Sequence, residues 1–170
     1  MKQSIFISQV QQFEAKMYRL ACRILISKDA SKDAVQEVLL KLWEKINEDS
    51  KVKSMEAYAM QMTKNHCYDQ LKLKANQHLR IVHQNFEGEI EEIEDSTQDE
   101  MRIQLIKEAI KDLPEQQKMV MQLRDIENYS FTEIAEILEI TEVAARVNLS
   151  RARKSIIKKM KNEKKYEIQA

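Results

Sequence analysis

The stretch SFTEIAEILEITEVAARVNLSRARKSIIKKMK, residues 130–161, decides the fold. Ser130 and Glu133 stand at the spacing of a capping box, in which a serine hydroxyl and a glutamate carboxylate each satisfy the other's backbone amide. Ile134, Ala135 and Leu138 then mark one face of a short helix. A brief turn, Glu139 to Thr141, follows, and Thr141 is placed to cap a second, longer helix. On that helix Ala145, Leu149, Ala152 and Ile156 recur at i, i+4, i+7 and i+11, the spacing of a stripe that faces a core. The opposite face carries Arg146, Val147, Ser150 and Arg151, and from Val143 to Lys161 there are seven Lys or Arg and no acid. Two helices joined by about three residues, the second long and basic, form the helix-turn-helix pattern, whose second helix enters the major groove of DNA. Arginine donates two hydrogen bonds to guanine or binds phosphate, whereas Val147 can meet only a thymine methyl or a similar apolar surface. Taken alone, a basic surface helix in a bundle accounts for the same segment.

Outside this stretch the chain is equally poor in turn chemistry. Its 170 residues include one Gly, Gly88, and one Pro, Pro114, while Leu, Ile, Met, Glu, Lys, Gln and Ala dominate. The expected fold is all-α, and 43% hydrophobic residues suffice for packed cores in one domain or two small ones. Apolar residues from Ile5 to Ile24 predict a first helix over Ser4 to Ile26. Ser31 is read as the cap of a second, whose Val35, Val38, Leu39, Leu42, Trp43 and Ile46 form one stripe. Its free face offers Asp33, Gln36, Glu37, Lys41 and Glu44, a mixed polar surface that suits a partner or plain solvation. A third helix begins near Ser54 and continues toward Arg80, with a break expected around Asn65 to Asp69, where Asn and Asp compete for backbone hydrogen bonds. Met101 to Leu113 predicts a further amphipathic helix, and Pro114 opens another through Met119, Val120 and Leu123.

Zero net charge conceals a strong polarity. Residues 85–100 hold eight acidic residues and no basic ones, so the remaining chain carries 28 minus 20, or +8. This gives three expected parts: an N-terminal helical domain over 1–84, an acidic linker over 85–100 and a C-terminal helix-turn-helix domain over 101–165. Cys22 and Cys67 lack a CxxC partner and read as reduced thiols packed in helices. His66, His78 and His83 are scattered, so no metal or other cofactor is expected. Leu20 to Ile26 is interrupted by Arg23 and too short for a membrane span, and with no signal-peptide pattern the expected location is cytoplasmic. No phosphate loop, metal-ligand pair or nucleophile arrangement points to an enzyme.

Three segments together carry a family resemblance: DAVQEVLLKLW at 33–43, LPEQQ at 113–117 with LRD at 123–125, and EIAEILEIT at 133–141 leading into LSRAR at 149–153. In this order and separation they resemble the extracytoplasmic-function sigma factors, the smallest relatives of the primary bacterial sigma factor. The resemblance implies that Asp33, Gln36 and Glu37 dock on RNA polymerase core. It places Asn65 against a flipped-out base of the melted -10 element, with Asp69, Lys72 and Lys74 in support. Arg146, Val147, Ser150 and Arg151 then meet the -35 element, and Arg124, Arg153 and Lys154 its phosphates. The implied partners are core polymerase, promoter DNA and an anti-sigma factor. By charge, the acidic linker suits polymerase surfaces that otherwise hold nucleic acid.

Several positions depart from the family pattern. Glu139 stands where Gly or Asn is common, a substitution worth about 1 kcal/mol if the bend needs positive φ. Val143 and Ala144 replace a Gly-Thr pair, Tyr58 a frequent Trp and Lys72 a frequent Arg. A helix-turn-helix regulator that works without core polymerase is the alternative reading.

Overall fold

A chain with so little glycine and proline must turn mostly by other means, and among the described residues several turns use hydroxyl caps or non-glycine residues in left-handed conformations. The computed structural model describes residues 3–48, 54–77 and 98–169, and among them the elements are helical throughout, as expected. The described residues group into two compact units, one with residues 3–77 and Ala135–Glu139, the other with residues 98–134 and 140–169. Most of the acidic run, residues 85–97, lies outside the described residues.

The first unit contains α1 (Gln3–Val10), α2 (Glu14–Leu25), α3 (Lys28–Glu48) and α4 (Met55–Gln77). The last three pack against one another. Met17, Leu20 and Ala21 of α2, Val38 and Leu42 of α3, and Ala59, Met60 and Cys67 of α4 are buried. Withdrawing each large side chain from water contributes about 1.5–3 kcal/mol. Phe6 of α1 meets Trp43 of α3 edge-on, with ring centroids 4.9 Å apart.

Three local expectations need correction. The single helix over Ser4 to Ile26 is two helices, divided at Gln11 to Phe13. Tight backbone bonds, Gln12 N–H to Gln9 C=O at 3.1 Å and Phe13 N–H to Val10 C=O at 3.0 Å, make the turn. It leaves Val10, Phe13 and Met17 all buried, so the apolar spacing runs through the break and hides it. The cap of α3 is Ser27, not Ser31: the Ala30 N–H donates to Ser27 Oγ at 3.3 Å, and Ser31, buried in the first turn, donates its hydroxyl to Ser27 C=O at 2.6 Å. The break expected at Asn65 to Asp69 does not occur, because α4 is continuous to Gln77. Burial of Cys67 between those residues rewards the helical path more than local Asn and Asp bonding opposes it.

The second unit contains α5 (Gln98–Lys111), α6 (Glu115–Met121), a π-helical turn (Gln122–Ile126), the first half of α7 (Phe131–Leu138), whose residues from Ala135 onward group with the first unit, and α8 (Glu142–Gln169). Pro114 precedes α6 with φ −55° and ψ 144°, and its carbonyl accepts the Gln117 and Lys118 amides. α5 and α6 pack on α8. Met119, Val120, Leu123, Ala145, Leu149 and Ala152 are buried there.

Among the described residues, three non-glycine residues have positive φ: Ile26 at 59°, Asn128 at 61° and Glu139 at 57°. Asn tolerates this region, whereas a β-branched residue is strained in it. Ile26 ends α2 through its amide to Cys22 C=O, and its side chain is 64% exposed, so strain is not offset by burial. Ile26→Gly is therefore expected to stabilise the fold by about 1 kcal/mol, read as a higher urea midpoint with an unchanged slope. Burial also pushes the Cys67 thiol up to about 12. At pH 8 Cys67 is expected to resist iodoacetamide in the folded protein and to label once urea unfolds the chain; fast labelling of native Cys67 contradicts its placement.

Candidate nucleic-acid and polymerase interface

The orientation of α8 follows from its buried stripe. Ala145 and Ala152 are fully buried and Leu149 nearly so, and the small alanines let the backbone of α8 approach its neighbours. Side chains on the opposite side turn outward: Arg146, Val147, Ser150 and Arg151 are all exposed. α7 and α8 are each capped at the N-terminus as the sequence implies. Ser130 N–H donates to Glu133 Oε2 at 2.8 Å and Glu133 N–H donates to Ser130 Oγ at 3.2 Å, a reciprocal capping box on α7. Ala144 N–H donates to Thr141 Oγ1 at 3.1 Å, capping α8. The bend between them holds Glu139 in the left-handed region, so the departure at this position does carry a conformational cost.

Polar ties fix α8 along its length. Asn148 Nδ2 donates to Gln116 Oε1 at 3.3 Å, and Lys159 Nζ donates to Asp112 Oδ2 at 2.6 Å. Arg153 grips Asp125 with two bonds, Nη2 to Oδ1 at 2.5 Å and Nε to Oδ2 at 3.4 Å. Those bonds hold the Arg153 guanidinium above its ordinary pKa, and Lys159 holds the Asp112 carboxyl below the usual carboxylate range. Arg124, half-buried on the π-helical turn, donates to Tyr129 C=O at 2.7 Å. Of the residues expected at phosphates, Arg153 thus ties α8 to Asp125, Arg124 is tied to the turn before α7, and Lys154 is exposed.

In the first unit Asp33, Gln36 and Glu37 are exposed at i, i+3 and i+4 on one face of α3. Glu37 accepts Lys41 Nζ at 2.8 Å and lies 3.5 Å from His66 Nε2. Lys41, and then His66, hold its carboxyl below the ordinary range. Asn65, Asp69, Lys72 and Lys74 are exposed on α4; the first three lie at i, i+4 and i+7, one side of the helix. They stand on continuous helix rather than on a loop.

Two ordered surfaces are thus displayed, one on each unit, and both lie within segments of known families. Residues 9–77 match Sigma-70 region 2, and residues 103–156 match Sigma-70 region 4. The chain belongs to the sigma-70 family. It is an RNA polymerase sigma factor with the two-region layout of the extracytoplasmic-function type, as its motifs imply. The fold of this sigma factor is shared with the sigma factor RpoE from Bartonella quintana, solved with the anti-sigma factor NepR. That match has a TM-score of 0.68 and 19% identity, over 92% of this chain and 96% of that one. It is also shared with CnrH, solved with the cytosolic domain of CnrY, at a TM-score of 0.66 and 15% identity, over 95% of this chain and 90% of that one. No curated protein matches the sequence. The region 2 match sets aside the reading as a helix-turn-helix regulator without a polymerase-binding half.

Periodicity located the outward face of α8 but missed what surrounds Arg146 in this sigma factor. Phe131, the first residue of α7, lies beneath both Arg146 and Arg124, with guanidinium carbons 4.3 Å and 5.0 Å from its ring centroid. An aromatic inside a capping box was the available signal. Ser130→Ala is expected to cost about 1 kcal/mol by removing that cap. Urea unfolding of the full chain measures it, and an unchanged midpoint contradicts the role given to the box.

Proposed function

We propose that this sigma factor binds core polymerase through Asp33, Gln36 and Glu37 on α3 and reads two promoter elements with its two units. The duplex -35 element meets Arg146, Val147, Ser150 and Arg151; Lys154 and the remaining donors of Arg124 and Arg153 meet phosphates. The melted -10 strand meets Asn65, Asp69, Lys72 and Lys74 on α4, where amide and ammonium groups suit the exposed edges of unpaired bases and their backbone. Residues 1–84 and 101–165 form the two working domains, with the acidic segment 85–100 between them complementing basic polymerase surfaces.

The single observation that carries this reading is α8, whose buried alanine-leucine stripe sets its opposite face outward with two arginines on it. The protein performs no catalysis of its own. Binding energy recruits polymerase and favours strand opening by capturing the open strand. Among the described residues no helix is long and apolar enough to cross a membrane, and the site of action is the cytoplasm, where the polymerase is. RpoE and CnrH were each solved with a second protein, NepR and the cytosolic domain of CnrY, and an anti-sigma partner fits this chain as well.

Arg146→Ala and Arg151→Ala are each expected to weaken -35 recognition by about 1–3 kcal/mol. Asp33→Arg is expected to reduce recovery of core polymerase in a pull-down while leaving duplex binding intact. Unchanged promoter preference in both arginine variants removes the α8 assignment, and undiminished core binding in the Asp33 variant removes the α3 assignment.

A further inference from the structure

Arg146 is exposed, yet its guanidinium is not left to wander. Its carbon lies 4.3 Å from the centroid of the Phe131 ring, and its Nη2 lies 3.5 Å from Glu142 Oε2. Glu142 is itself held by Thr132, whose hydroxyl donates to Oε1 at 2.7 Å. Phe131 is equally constrained, because it follows Ser130 and the reciprocal bonds with Glu133 fix the first turn of α7 around it. Arg124 gathers at the same ring, 5.0 Å from the centroid. Two like charges at one ring repel unless each has a counterpart, and each does: Glu142 for Arg146 and the Tyr129 carbonyl for Arg124.

The way Arg146 is held matters for what it can still do. A cation–π contact engages the face of the guanidinium, whereas bidentate recognition of guanine uses the N–H donors along its edge. A guanidinium carbon held 4.3 Å from the ring centroid restricts a long, flexible side chain, while its N–H donors radiate outward along the guanidinium edge. The bond to Glu142 is long at 3.5 Å, so exchanging it for a base edge gives up little. Val147 beside it has neither the length nor the donors to compensate for a mobile arginine.

We propose that Phe131 is the positioning residue for Arg146: its ring holds the guanidinium so that the edge donors face one base pair of the upstream element, and Phe131 sets base preference there by acting through Arg146. This rests on the reading of α8 given above. Replacing the ring by an aliphatic group of similar bulk is expected to lower discrimination at that base pair roughly two- to fivefold, the size of an exposed cation–π contact.

The test uses the full chain reconstituted with bacterial core polymerase and a duplex library randomised across the upstream element, with bound fragments sequenced. Arg146→Ala is expected to flatten preference at one base pair. Phe131→Leu is expected to weaken preference at that same pair and nowhere else, Phe131→Tyr to restore it, and the Phe131→Leu/Arg146→Ala pair to lose no more than Arg146→Ala alone. Loss in Phe131→Leu spread evenly over all positions, or no loss, overturns the proposal while the α8 reading stands. If Arg146→Ala flattens nothing, the proposal falls, and if Arg151→Ala flattens nothing either, the α8 reading falls with it. A measurement on the unaltered protein keeps the proposal testable should Phe131→Leu fold poorly. The Arg146 side-chain Nε–Hε resonance is expected to be displaced from its random-coil position by the Phe131 ring current, and a random-coil position in the folded chain overturns the proposal.

Discussion

Everything on the C-terminal side of this molecule depends on which way α8 is rotated about its own axis. Ala145, Leu149 and Ala152 must leave water together, and because a helix repeats every 3.6 residues, burying them turns Arg146, Val147, Ser150 and Arg151 outward. Rotation by one residue, about 100°, would bring Arg146 toward the core, where an unpaired guanidinium costs several kcal/mol. Packing and the placing of charge are therefore one constraint. The ties from Asn148 to Gln116, Arg153 to Asp125 and Lys159 to Asp112 add position along the axis to the orientation that burial already imposes.

The first unit solves a similar problem with a different surface. α2, α3 and α4 enclose Met17, Leu42, Met60 and Cys67, and the outward faces of α3 and α4 are what remains for partners. On α3 that face is acidic and amidic, with Glu37 kept ionised by Lys41 and His66. On α4 it is mixed, with Asp69 near Lys72 at 3.9 Å. The contrast with the cationic face of α8 underlies the division of labour proposed for these surfaces.

Much of this was legible in the residues. The Ser130–Glu133 box, the Thr141 cap and the α8 stripe depend on local spacing, and the structure reproduces the box, the cap and the stripe as far as Ala152, Ile156 being only half-buried. The positive φ at Glu139 was likewise legible as a departure from the family pattern. What was hidden depends on tertiary packing or on backbone turns that no Gly or Pro announces. The division at Gln11 to Phe13 preserves the apolar period, Ser31 resembles a cap but is used inside the helix, and Cys67 carries α4 through a segment whose local preferences oppose it. The pairing of Phe131 with Arg146 joins residues on two helices, and period alone does not reveal such contacts.

In the proposed arrangement the exposed face of α8 lies in the major groove of upstream promoter DNA when the sigma factor is bound to polymerase. The most direct measurement places a hydroxyl-radical-generating iron chelate on that face. Ser150→Cys in a Cys22→Ser background offers the attachment point, since Cys67 is buried. Cleavage of promoter fragments by the reconstituted holoenzyme should cluster on the two strands flanking one major groove within the -35 element. A holoenzyme that still initiates transcription but leaves this duplex uncut would contradict the account.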